Sequence, residues 1–93
     1  MILSFSDKRT AAIFEGHEVR GLPRVVQDAA RRKMKLIDAA GSVATLRMSL
    51  GNRLEVLKGD RKGQWSIRVN DQWQICFEWD AGNAGDVEFV DYH

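Results

Sequence analysis

Only one cysteine, Cys76, one proline, Pro23, and one tyrosine, Tyr92, occur in these 93 residues. A lone cysteine excludes an intrachain disulfide, and a free thiol fits a reducing compartment. No apolar run approaches the roughly 18 residues needed to cross a bilayer, and the first residues lack the apolar stretch of a secretion signal, so a soluble, cytoplasmic protein with no membrane partner is expected. Also absent are the phosphate-cradling GxxxxGK[ST] loop, a GxGxxG turn, the HExxH zinc helix and a GxSxG elbow. The two histidines, His17 and His93, and Cys76 do not have the spacing of a zinc site. Asp86, Glu88 and Asp91 are scattered carboxylates that read as solubilising. Neither a metal nor another cofactor is expected. There are no repeats, linkers or low-complexity segments, and the length fits one domain spanning 1–93.

What is present is a globular composition, 44% apolar and 9% aromatic, with an uneven charge distribution. Residues 1–19 carry two basic and three acidic side chains; residues 20–68 carry twelve basic and four acidic. No Lys or Arg follows Arg68, whereas residues 69–93 contain six acids. The net of +1 is therefore the sum of −1, +8 and −6. A basic middle suits a polyanion, and the acidic final stretch argues against uniform coating by nucleic acid. For residues 24–35 a solvated helix face explains the charge equally well.

Ile2-Leu3-Ser4-Phe5 reads as a short N-terminal strand. Asp7 is placed to cap a helix from about Lys8 to Glu15. Pro23 suits the first turn of a second helix running to about Ala40 and closed by Gly41. Val26, Ala30, Met34 and Ile37 mark its apolar face. Ser42 is a candidate cap for a short third turn reaching Leu46 or Met48. After Gly51 the period changes to two. Leu54 and Val56 alternate with Arg53 and Glu55; Trp65, Ile67 and Val69 with Ser66 and Arg68. Trp73, Ile75, Phe77 and Trp79 alternate with Gln74, Cys76 and Glu78, and Val87 and Phe89 flank Glu88. Turns fall at Gly59–Gly63, Asn70-Asp71 and Ala81–Gly85. The expected fold class is α+β: a short N-terminal strand, two or three helices, then an antiparallel four-stranded meander covered on one face. The tryptophan stripe reads as core, not as a base-stacking platform.

The opposite sheet face then collects Glu55, Ser66, Arg68, Gln74 and Cys76, a shallow polar groove for an extended ligand. Two local sequences stand out beside it. One is the glycine-bounded basic loop from Leu57 to Asn70, LKGDRKGQWSIRVN. The other is Asp91-Tyr92-His93, in which an imidazole titrating near neutrality follows an aromatic ring able to stack on a base. A histidine in the last position is commonly a frayed end, but this trio directly follows an apolar strand that could hold it.

With LKGDRKGQWSIRVNDQW and the final VDYH, the chain resembles the HigB toxins of the RelE/ParE superfamily, also called the plasmid maintenance system killer protein family. The resemblance covers essentially the whole sequence and implies a RelE-like microbial RNase fold. It further implies a toxin of a type II toxin–antitoxin system that cuts messenger RNA on the ribosome without metal. The implied partners are the ribosome, mRNA and a HigA-type helix-turn-helix antitoxin, with operator DNA contacted only through the antitoxin complex.

The implied reaction is attack of a ribose 2′-OH on the adjacent phosphorus. Carried over by motif, Lys58 stabilises the phosphorane or assists base chemistry, His93 is the general acid, Asp91 orients it or positions the RNA, and Tyr92 stacks on a nucleotide. Arg61, Lys62 and Arg68 contact phosphate. Two positions depart from better-known members. Glu55 stands where they carry a histidine and is a substitute base; Gln74 stands where they carry an arginine. An amide there forgoes a charge-assisted hydrogen bond, about 1.5–3 kcal/mol against about 1 kcal/mol for a neutral one, which implies weaker cleavage. The alternatives are a ParE-like gyrase inhibitor on the same fold, or a catalytically weak antitoxin-binding module acting in operon autoregulation.

Overall fold

The computed structural model describes residues 1–50, 54–61 and 63–91, leaving aside the side chain of Leu50. The expectations placed on Arg53, Lys62, Tyr92 and His93 lie outside the described residues. Helix α1 spans Lys8–Glu15 and starts as its cap residue requires: the Asp7 carboxylate accepts the Thr10 N–H at 2.7 Å. It stops at Gly16, whose φ of 87° is the left-handed conformation that ends many helices.

Helix α2 spans Arg24–Ala39. Pro23 is its cap residue and not its first helical one, a one-residue difference within the ordinary ambiguity of helix ends. At the other end Ala40 leaves in an extended conformation, so Gly41 does not act as a left-handed cap. Ala30, Met34 and Ile37 are buried as their spacing requires; Val26 is only partly so, and Gln27 takes the fourth buried place. Its amide bonds the Val19 N–H and the Val19 and Leu22 carbonyls at 2.8–2.9 Å, tying the α1–α2 connection to the helix. Helix α3 runs Val43–Leu50, a little further than expected, behind a Ser42 cap whose hydroxyl accepts the Thr45 N–H.

The sheet is an antiparallel meander of β1 (Leu54–Val56), β2 (Gln64–Arg68), β3 (Trp73–Asp80) and β4 (Asn83–Asp91), in that spatial order. Helices α1 and α2 pack against β4, and α3 against β1. The core lies between the layers, where Ile13, Met34, Ile37 and Leu46 meet Ile67, Ile75, Phe77, Val87 and Phe89. The α+β fold class stands. Trp65, Trp73 and Trp79 are partly buried against this core, and Trp73 stacks on Phe89 with centroids 4.6 Å apart. Ala81 and Gly82, both at positive φ, form a tight two-residue turn between β3 and β4, shorter than the loop expected over Ala81–Gly85. A side chain at Gly82 would meet the Gly41 carbonyl at 3.0 Å.

The N-terminal segment is not a continuous strand. It touches β4 at two parallel bridges, Ile2 to Ala84 and Phe5 to Val87. The cause is a bulge in β4. Asp86, at φ 48°, makes two residues of β4 oppose Phe77, and the Asp86 N–H goes to the Ser4 hydroxyl at 2.8 Å instead of to a ladder carbonyl. The bulge also resets side-chain parity, so Ala84 and Val87 both reach the core. Beyond the N-terminal segment, α1 takes over the exposed side of β4. The Phe89 N–H donates to Thr10 Oγ1 at 3.0 Å, and the Phe89 carbonyl accepts from Arg9 Nη2 at 2.8 Å. Arg9 also lies 5.5 Å from the Trp73 and Phe89 ring centroids. The outer backbone groups of Ala84, Val87 and Phe89 are thus partnered without a fifth strand.

Candidate active site

Strand register decides which polar side chains share the uncovered face. Glu55 pairs with Ser66, Ser66 with Cys76 and Cys76 with Glu88, a row running across all four strands. The next row pairs Arg68 with Gln74 and Gln74 with Val90. Directly opposed side chains lie about 4.5–5.5 Å apart at Cβ, so Arg68 stands within reach of whatever Gln74 contacts. Glu55, Arg68 and Gln74, three of the expected site residues, are brought to one surface. Arg68 and Gln74 are immediate neighbours.

Arg61 reaches this face from the 3₁₀ turn Gly59–Arg61 between β1 and β2. Its guanidinium donates to Glu88 Oε1 at 2.8 Å and to Gln64 Oε1 at 3.1 Å, so it spans from the β1–β2 turn to β4. The bond to Glu88 is the main reason its pKa is raised. Side-chain exposures of 39% and 28% leave the ion pair open to screening, which puts its contribution to stability at about 1 kcal/mol or less. Its larger effect is positional. Ser66 and Cys76 in the same row are buried although they belong to the face the helices leave uncovered. Burial is the first cause raising the Cys76 thiol pKa; Arg61 opposes the shift, and Glu88, which faces Cys76 in the register, adds to it.

Lys58 is exposed between β1 and the 3₁₀ turn. The Leu57 N–H bonds the Gln64 carbonyl, so Lys58 leaves the sheet near the Gln64–Glu78 row. Asp91 pairs with Trp73 at the other end and shares the parity of Trp73 and Phe89. From Trp73 to Glu78 is five residue steps, roughly 17 Å along an antiparallel strand. The described residues therefore do not bring Lys58 and Asp91 together. Tyr92, His93 and Lys62 are not described.

Among the described residues, no group of three His, Cys, Asp or Glu side chains is arranged to hold a metal ion, and no helix is long and apolar enough to cross a membrane. A depression of about 540 Å³ lined by Asp28, Arg31, Arg32, Lys35 and Leu36 lies along the outer side of α2, on the helix layer. The polar sheet face is shallower and suits an extended ligand better than a small enclosed one.

Glu88, which the sequence presents as a merely solubilising carboxylate, is instead the partner of Arg61. Its parity was legible, but its pairing with Arg61 depends on the register of β4 beyond the bulge, which leaves no local signal.

A four-stranded antiparallel meander backed by helices is an α+β domain consistent with the RelE-like fold that the sequence resemblance implies. The profile of the RelE-like toxin of the type II toxin–antitoxin system HigB matches residues 3–93. The chain is 40% identical over 85 residues to Toxin HigB-1 of Vibrio cholerae, covering 90% of each chain. It is 36% identical over 93 residues to Endoribonuclease HigB of Proteus vulgaris, covering all of both. The chain belongs to the HigB family of RelE-like toxins of type II toxin–antitoxin systems, and as such has an antitoxin partner. These relatives do not favour the gyrase-directed or catalytically weak alternatives.

Proposed function

We propose that this toxin is an endoribonuclease that binds messenger RNA along the polar sheet face on the ribosome and cleaves it by 2′-OH transesterification. The observation that carries the reading is the register that sets Glu55, Arg68 and Gln74 on one uncovered face crossed by Arg61. The full-length likeness to a relative named Endoribonuclease HigB supports it.

In this reading Glu55 accepts the 2′-OH proton as O2′ bonds to phosphorus. The P–O5′ bond breaks, His93 protonates the leaving O5′, and the products are a 2′,3′-cyclic phosphate and a 5′-OH. Each positioned acid or base is worth about 10²–10⁴ in rate. Lys58, Arg61, Lys62 and Arg68 hold phosphate oxygens and offset the developing charge. Asp91 orients the chain end, and Tyr92 stacks on a nucleotide. Asp91 pairs with Trp73, one residue along β3 from Gln74. A helix-turn-helix antitoxin of the HigA type is the proposed partner, with operator DNA bound only through the complex. The proposed site of action is the cytoplasm.

Mapping 5′ ends of ribosome-bound mRNA after a short pulse of expression tests the reading. New ends within coding sequence are expected, and deletion of Tyr92 and His93 should abolish them while antitoxin binding persists. Intact messages at verified toxin levels, or cleavage that survives the deletion, would overturn it.

A further inference from the structure

The Arg61–Glu88 salt bridge crosses the polar face. The geometry points to Glu88 as a positioning residue that holds Arg61 over the sheet for a phosphate of single-stranded RNA. This rests on the reading of that face as the RNA-binding surface. Arg61 stands on a short turn bounded by Gly59 and Gly63, both at positive φ, and its backbone belongs to no strand. An arginine on such a turn has several rotamers open to solvent. Glu88 and Gln64 hold it in one, with Nη2 and Nη1 each donating once. A guanidinium carries five N–H donors, and these bonds use two of them. Glu88 itself is set by its place opposite Cys76 on β4, a strand fixed through Phe89 to α1.

Two effects of removing Glu88 oppose one another. Loss of its negative charge, screened and separated from the phosphate by the guanidinium, improves RNA binding by less than about twofold. Loss of the hold on Arg61 adds the cost of immobilising a long side chain at binding, roughly two- to twelvefold in affinity. The positional effect dominates. The two are separable, because Glu88→Gln removes the charge but keeps an oxygen able to accept from Nη2.

The test is single-turnover cleavage of mRNA on programmed ribosomes, titrated with toxin to separate the half-saturating concentration from the maximal rate. Glu88→Ala is expected to raise the half-saturating concentration two- to twelvefold and keep the maximal rate within about twofold. Glu88→Gln should stay within twofold of the parent on both. Arg61→Ala should weaken half-saturation at least as much as Glu88→Ala, and the double variant should be no worse than Arg61→Ala alone. Tighter half-saturation in Glu88→Ala, additive losses in the double variant, or an Arg61→Ala protein that behaves like the parent would each overturn the inference while cleavage itself persists. If Glu88→Ala fails to fold, Glu88→Met, of similar volume and without an oxygen, takes its place with the same expectations. A parent protein that neither occupies nor cleaves programmed ribosomes would remove the functional reading and this inference with it.

Discussion

Replacing Thr10 by valine tests how the last strand is held. Thr10 is fully buried in α1, and its hydroxyl accepts the Phe89 N–H at 3.0 Å. Valine preserves volume and shape but removes the acceptor. The Phe89 amide is then left without a partner between α1 and β4, and an orphaned buried donor costs about 1–3 kcal/mol. At a central value of about 2 kcal/mol, a domain of this size should lose roughly 8–16 °C in Tm. Thr10→Ser keeps the hydroxyl and gives up one methyl, about 1 kcal/mol. Calorimetry supplies the total, and amide hydrogen exchange localises it. The Phe89 amide should exchange faster in Thr10→Val and stay protected in Thr10→Ser beyond the global change. A loss below about 0.5 kcal/mol in Thr10→Val, with Phe89 exchange unchanged, would refute the claim that α1 replaces a missing strand at this edge.

Gln27→Ala strips three hydrogen bonds from the α1–α2 connection, and urea unfolding should show a loss of roughly 2–4 kcal/mol after water recovers part of it. Gln74→Arg should raise single-turnover cleavage on ribosomes by about 2- to 30-fold through a charge-assisted contact, at a stability cost of up to about 1 kcal/mol because it faces Arg68 directly; unchanged cleavage would show that the amide is no handicap. The Cys76 thiol, with its pKa raised first by burial, should resist alkylation in the folded protein. Its neutral form is favoured on folding, so its contribution to stability is complete below the ordinary thiol pKa of about 8.5 and is lost as pH rises through the native value. Urea melts from pH 7 to 10 on the parent and Cys76→Ala should show that difference.

The strands were readable from sequence where alternation was uninterrupted. Trp73, Ile75 and Phe77 set the parity of β3, and with it the surface shared by Glu55, Arg68 and Gln74. Helix starts were legible where a side chain makes the cap, at Asp7 and Ser42. Reading failed where backbone conformation broke the pattern. An aspartate at positive φ inside a strand gives no periodic signal, so the bulge at Asp86 and the interrupted pairing of Ile2 and Phe5 were hidden. Gln27 was overlooked because spacing rules count apolar residues, whereas its burial is satisfied by the backbone of a loop. The Arg61–Glu88 contact lay beyond sequence reading because it joins a turn to a strand 27 positions away across two others.

The grip of α1 on β4 also orders events during synthesis. Ala84, Val87 and Phe89 form one wall of the interior, and their backbone partners lie at Met1, Ser4 and Thr10. A nascent chain that has reached residue 83 has no such wall, and its first helix has α2 but not β4 to pack against. Truncation before residue 84 therefore removes the backbone partners of Met1, Ser4 and Thr10 in one stroke.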